Sequence, residues 1–264
     1  MSGSGPVAVV TGAARGIGAA TVDILVAAGW RVVAMDRCAD EPLLHYRLAD
    51  PGDLSSLVAR HGDRVVPCVG DVRVASDVRR AVACATDELG RLDAAVAVAG
   101  VVHGGEPLWE TGDAHWDLIF DVNVTGVRRL AAAAVPVLLD APAPRSGRFV
   151  AVASAAGVLG LRRLAAYGAS KHAVIGLVKG LAADLAGTGV TANAVCPGST
   201  RTAVLDESAR IYGLSSAEEF AGQQLLERLL TPEEPAALVA WLCGPASSAV
   251  TGAALPADAG MTTS

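Results

Sequence analysis

Lysine is nearly missing from this chain of 264 residues: only Lys171 and Lys179 stand among its 21 basic residues, and the rest are arginine. Aromatic residues are just 4%, so a core has to be assembled from Ala, Val and Leu. Positive charge is in deficit, 21 basic against 27 acidic residues for a net −6. That balance argues against non-specific nucleic-acid binding, which needs clustered Lys and Arg. The five cysteines contain no C-x-x-C pair, and the five histidines show no metal-ligand spacing, so neither a disulfide framework nor a metal site is expected. No uncharged apolar run reaches the roughly 18 residues of a spanning helix; the longest candidate, Leu130 to Leu139, contains Pro136. The opening Met1-Ser-Gly-Ser-Gly-Pro6 has no basic region ahead of an apolar one, so no signal peptide, no membrane partner and a cytoplasmic location are expected. With 52% hydrophobic and 18% charged residues, a disordered chain is excluded.

What is present is a regular alternation. Short Val- and Ala-rich runs lie at 6–11, 31–36, 64–69, 93–99, 148–153 and 190–195, with a weaker one at 249–256. Such runs suit strands buried on both faces of a parallel sheet. Helical patterns at 16–29, 74–90, 113–139, 165–187 and 232–243 separate them. The expected fold class is α/β: one domain over 1–264, a Rossmann-type doubly wound parallel sheet of about seven strands with helices on both faces. Two segments break the rhythm. Residues 37–58 read as an insert after the second strand, and 199–230 as a lid over a substrate.

Thr11-Gly12-Ala13-Ala14-Arg15-Gly16-Ile17-Gly18 joins the first strand to the first helix. Glycines spaced this way let a backbone approach a pyrophosphate, whose charge then sits on the helix N-terminus. Asp36 ends the second strand, where a carboxylate can bind adenosine ribose hydroxyls and repel a 2′-phosphate. That points to NAD, although Arg15 and Arg37 could accommodate the phosphate. Asp71, before Val72, is placed to bond the adenine amino group.

Tyr167 and Lys171 are four residues apart in a helical pattern and so share one face. With three tyrosines and two lysines, chance would give such a pair in about 2% of shuffled chains. A phenol is a poor base at neutral pH, and an ammonium one turn away would lower its pKa. Ser154 ends the strand 13 residues earlier, where its hydroxyl can hold a substrate oxygen. Asn123 falls inside the 113–139 helix, where a buried amide could order a water chain to Lys171.

These residues resemble the classical short-chain dehydrogenases/reductases. The resemblance runs from Val7 to Gly260 and includes the glycine turn, Asp71-Val72, Asn123, Ser154, Tyr167-x-x-x-Lys171 and Asn193-Ala-Val-Cys-Pro197-Gly198. It implies a catalytic tetrad of Asn123, Ser154, Tyr167 and Lys171 working on an alcohol or ketone. It also implies that Gly12, Arg15, Gly16, Ile17, Gly18, Asp36, Asp71, Val72, Ala99, Gly100, Pro197, Gly198 and Thr202, with Tyr167 and Lys171, bind NAD, and that the chain forms a homotetramer. Two stretches depart from the family pattern. Ala97-Val98-Ala99-Gly100 replaces Asn-Asn-Ala-Gly, and Ala257-Asp258-Ala259-Gly260 replaces Val-Asp-Gly-Gly. The long 37–58 segment, Pro107-Leu-Trp-Glu-Thr111 and Tyr212-Gly-Leu214 look like the mycofactocin-coupled branch. That likeness implies a covered NAD, recycled in place by mycofactocin as a separate redox carrier. On this reading Leu43, Leu44, Tyr46 and Leu48 cover the adenosine end.

Overall fold

The computed structural model describes residues 5–263. Its seven strands are β1 (Val7–Thr11), β2 (Arg31–Asp36), β3 (Val65–Val69), β4 (Ala94–Ala97), β5 (Arg148–Val152), β6 (Thr191–Pro197) and β7 (Ala254–Ala257). They form one sheet in the order β3-β2-β1-β4-β5-β6-β7, and every pairing is parallel. Strands β1, β4, β5 and β6 are buried along their whole length. Each therefore presents apolar side chains to both faces, which is why they read as continuous runs rather than alternations.

Two apolar layers flank the sheet. One holds Val9, Val33, Leu130, Leu138, Phe149 and Val174, and the other Val10, Val22, Leu25, Val32, Leu57 and Leu242. Helices α3 (Ala75–Asp87), α5 (Gly126–Asp140) and α6 (Ala165–Asp184) supply the first layer. Helices α1 (Gly16–Ala27), α2 (Pro51–His61) and α8 (Glu233–Cys243) supply the second. Helix α4 (Asp113–Phe120) leads into α5 through an Asp121–Thr125 π turn, so the expected continuous 113–139 helix is interrupted where Asn123 sits. The whole helical stretch 113–140 is long and apolar enough to cross a membrane by length and composition. Its inner face is packed in the core through Leu118, Val127, Leu130 and Leu138. Helix α7 (Ala203–Tyr212) and a 3₁₀ turn (Ala217–Gln223) occupy the expected lid region.

The 37–58 insert is shorter than the sequence suggested, because α2 begins at Pro51. Asp50 caps it, accepting from Gly52 N at 2.8 Å and Asp53 N at 3.2 Å, while Asp53 accepts from Asp50 N at 2.8 Å. An N-cap acid followed by proline is a helix start, so 51–58 belongs to α2 and not to the insert. The irregular segment is 37–50.

Candidate active site

All strand C-terminal ends lie along one edge of a parallel sheet. The chain leaves β1 toward one side and β4 toward the other, and a crevice opens between them. The glycine turn enters this crevice. Gly12 has φ +67°, and a Cβ on it would stand 2.6 Å from Ala99 N; one on Gly18 would stand 1.9 Å from Gly12 O. Side chains at either position are excluded, and the bare backbone leaves a cradle. Helix α1 follows with no side chain capping its N-terminus, so its first amides face the crevice free to bind an anion.

A cavity of about 660 Å³ runs from this turn to the Tyr-Lys helix. Every site residue anticipated from sequence lines it except Asn123. Asp36 orients the turn, accepting from Ala14 N at 3.0 Å and Cys38 N at 3.2 Å. Both arginines that could have received a 2′-phosphate are already occupied. Arg15 lies 2.6 Å from Asp53, and Arg37 lies 2.8 Å from Glu41 and 3.4 Å from Asp71. Arg73 completes the cluster at 3.0 Å from Glu41 and 2.8 Å from Asp71. Burial works to raise the pKa of both Glu41 and Asp71, but the paired guanidiniums outweigh it and hold both carboxyls below their usual range. The adenine contact expected of Asp71 is thus shared with a built ion-pair network, which fastens residues 37–41 to the turn after β3.

At the other end Ser154 extends from β5. Its Oγ accepts from Ala156 N at 3.1 Å, and its hydroxyl is within hydrogen-bonding reach of the Tyr167 phenol. Lys171 is 4% exposed, donates to Val152 O at 3.0 Å and sits 5.8 Å from the centre of the Tyr167 ring. The expected lowering of the tyrosine pKa is not what this pocket does by itself. Burial pushes the Tyr167 phenol up against the help of Ser154, and it pulls Lys171 down to about 8 against the opposing pull of Cys196. Lys171 therefore stays mostly charged at neutral pH but gives up its proton far more readily than an exposed lysine.

Asn123 is fully buried behind the cavity. Its amide donates to Val101 O at 2.9 Å and Ser170 Oγ at 3.0 Å, and its oxygen accepts from Val101 N at 2.8 Å. Both of its donors are taken, so it ties α6 and the π turn to the loop after β4. In that loop Thr11 holds Val98: its carbonyl accepts from Val98 N at 3.2 Å and its hydroxyl is 3.3 Å from the same nitrogen. The second departure has a conformational cost, since Ala259 holds φ +52° where the family pattern has glycine.

Sequence reading missed or misplaced several residues. Tyr46 does not cover the adenosine end. It is driven into the catalytic end, where its hydroxyl accepts from Val102 N at 3.0 Å and its ring packs with Leu164, Ile211 and Tyr167. Leu43 is 38% exposed and Leu44 is buried in the protein's own core, so neither forms a cofactor-dependent cover; Leu48 does line the cavity. Leu161, Leu164, Val204, Leu205, Tyr212 and Phe220 also line the cavity, whereas Leu159 and Ile211 do not, and Trp109 is 84% exposed. Arg201 lines the cavity while paired with Glu218; Arg210 pairs with Glu207. Finally, His103, Glu106 and His115 converge in space although their sequence spacing gave no metal signal.

The chain belongs to the short-chain dehydrogenase/reductase family: the family model described as enoyl-(acyl carrier protein) reductase matches residues 12–262. It is similar to an uncharacterized NAD-dependent oxidoreductase of Mycobacterium tuberculosis, 35% identical over 97% of this chain and 95% of that one. It is also similar to an A-factor type gamma-butyrolactone 1′-reductase of Streptomyces virginiae, 36% identical over 97% and 95%. Among solved structures, carveol dehydrogenase from Mycobacterium avium in complex with NAD superposes with a TM-score of 0.92 at 30% identity, each chain covered in full.

Lys171 gives a stability test. An unfolded lysine keeps its proton to about pH 10.5, whereas the folded one releases it near 8. Between these values the unfolded state binds more protons, so this residue makes stability rise with pH. Urea unfolding of cofactor-free protein from pH 7 to 10 should show the wild type gaining on Lys171→Met across that window. A constant difference between the two would contradict the burial account.

Proposed function

We propose that this protein is an NAD-dependent oxidoreductase that interconverts a small or medium hydrophobic alcohol and its ketone or aldehyde. The observation that carries the reading is one cavity with the bare glycine turn at one end and Ser154, Tyr167 and Lys171 at the other. NAD, when bound, supplies the hydride acceptor or donor. The turn and the open α1 N-terminus would hold its pyrophosphate, and Asp36 its adenosine ribose. Ser154 holds the substrate oxygen beside Tyr167, whose phenol oxygen gives or takes the hydroxyl proton. Lys171 lies against the same ring and, when charged, favours the phenolate. Asn123 fixes the loop backbone around Lys171 and so the path for a proton to solvent. The lining from Leu161, Leu164, Val204, Leu205, Tyr212 and Phe220 selects apolar substrates by burying them.

NAD is favoured over NADP because a 2′-phosphate would meet Asp36 with no free guanidinium beside it. Asp36→Ala should weaken NAD binding and raise NADP affinity relative to it by about tenfold or more. A wild-type preference for NADP in a binding titration would contradict the assignment. The outward faces of α5 and α6 carry alanine and glycine, including Ala132, Gly176 and Gly180. They suit close helix pairing between chains, and a homotetramer is part of this reading.

The finer proposal concerns turnover. Residues 37–50 are fastened at one end by the Arg37, Glu41, Arg73 and Asp71 cluster and at the other by Tyr46 on Val102. This strap along the cavity supports a cofactor that stays bound and is reoxidised by a separate carrier, which is mycofactocin in the branch the sequence resembles. Purified protein mixed with an alcohol and excess free NAD should reduce its bound NAD once and stop until an external acceptor is added. Loosening the strap with Glu41→Ala and Tyr46→Phe together should speed release at least about tenfold, given that hydrogen bonds to charged groups are worth roughly 1.5–3 kcal/mol. Steady NADH accumulation by the wild type would instead mean an ordinary exchanging dehydrogenase.

A further inference from the structure

The loop after β4 and the start of α4 bring two imidazoles and a carboxylate together outside the catalytic cavity. His103 and His115 stack with ring centres 3.6 Å apart and planes 9° from parallel. His103 Nε2 lies 3.4 Å from Glu106 Oε1. One ligating atom from each of the three residues falls within 4.8 Å of the other two. His103 is 6% exposed, and its Nδ1 is buried without a hydrogen-bond partner. The nitrogen that faces Glu106 is the other one, Nε2, and it is the atom available to an ion shared with that carboxylate. A third imidazole, His45, projects from the 37–50 strap with its ring centre 6.1 Å from that of His103.

We propose that His103, Glu106 and His115 form a binding site for a borderline first-row divalent ion, Zn²⁺ or Co²⁺, with His45 as a fourth ligand that staples the strap to the β4–α4 loop. The donor chemistry is right: two imidazoles and one carboxylate hold zinc at about 2.0–2.2 Å with one position left open. Tetrahedral ligands at that range stand roughly 3.4 Å from each other, which is the His103 to Glu106 separation already present. The stacked rings have to splay to point their nitrogens at one ion, a rotation of side chains alone. None of these residues lines the catalytic cavity, so the site is structural and does not activate substrate.

The consequence is mechanical. Tyr46, which closes the catalytic end of the cavity, is the residue after His45, and Val102, its partner, is the residue before His103. An ion joining His45 to His103 would therefore clamp both sides of that hydrogen bond. This site stands whether or not the cofactor exchanges, because its ligands and its readouts do not involve NAD.

The test is a titration of chelator-treated full-length protein with Co²⁺ and with Zn²⁺, each alone. We expect one ion per chain and a cobalt spectrum with tetrahedral ligand-field bands but no thiolate charge-transfer band, which separates this site from the five free cysteines. His115→Ala and Glu106→Gln should each weaken binding at least about tenfold; both residues are partly exposed, and circular dichroism checks that the variants fold. In wild type, Zn²⁺ should slow amide hydrogen exchange over residues 43–48, and His45→Ala should lose that protection. Absence of saturable uptake, or uptake unchanged in both His115→Ala and Glu106→Gln, overturns the site. Full affinity and full protection in His45→Ala overturn the staple.

Discussion

The reversal of strand order between β1 and β4 is the constraint on which the site depends. It forces two loops to leave the sheet in opposite directions, and it requires the backbones at Gly12 and Ala99 to pass so closely that no Cβ fits between them. The same crevice receives the α1 N-terminus from one side and Ser154 from β5 on the other. Pro197 and Gly198 continue the edge from β6, and Gly198 abuts Asp258 so closely that a Cβ there would stand 2.7 Å from Asp258 O. The glycine turn and Ser154, Tyr167 and Lys171 share one cavity because a parallel sheet puts all its C-terminal ends together.

Charge is handled oppositely at the two ends of that cavity. At the adenosine end, Arg15, Arg37 and Arg73 are each paired with carboxylates, and the carboxyls of Glu41 and Asp71 are held below their usual range. The three guanidiniums are thus matched by carboxylates, while Asp36 accepts, among the described residues, only from the backbone nitrogens of Ala14 and Cys38. At the catalytic end a single cation, Lys171, is buried against a carbonyl with no carboxylate to neutralise it, and its affinity for its proton falls. A group poised near pH 8 changes charge easily, which suits a residue that has to support proton movement at Tyr167.

The fold was largely legible because buried parallel strands announce themselves as short apolar runs, and all seven were found to within a few residues. The glycine turn and the Tyr167–Lys171 pair, which the structure brings to one cavity, were legible because both are local patterns that follow from backbone geometry. What stayed hidden depends on long-range packing. Helix α2 was lost because its cap residues, Asp50, Pro51 and Asp53, look like a loop. Tyr46 was placed at the wrong end because nothing local says that its hydroxyl reaches Val102, 56 positions away. The Tyr167 shift had the wrong sign because spacing gives proximity to Lys171 but not the desolvation that raises the phenol and lowers the lysine. The histidine cluster was invisible because His103 and His115, twelve positions apart, meet only when the loop after β4 folds back on the start of α4.

The central claim is that Tyr167, held by Ser154 and Lys171, is the proton-transfer group of an alcohol–ketone hydride transfer in this cavity. The most direct measurement is single-turnover reduction of bound NAD by an alcohol, followed by absorbance across pH, in wild type and in Tyr167→Phe. Removing one hydroxyl at the cavity wall leaves the glycine cradle and Asp36 untouched. The account predicts NAD affinity within a few-fold of wild type, with the reduction rate lower by two orders of magnitude or more, in the range general acid–base groups contribute. Tyr167→Phe reducing NAD at the wild-type rate with the wild-type pH dependence would contradict it.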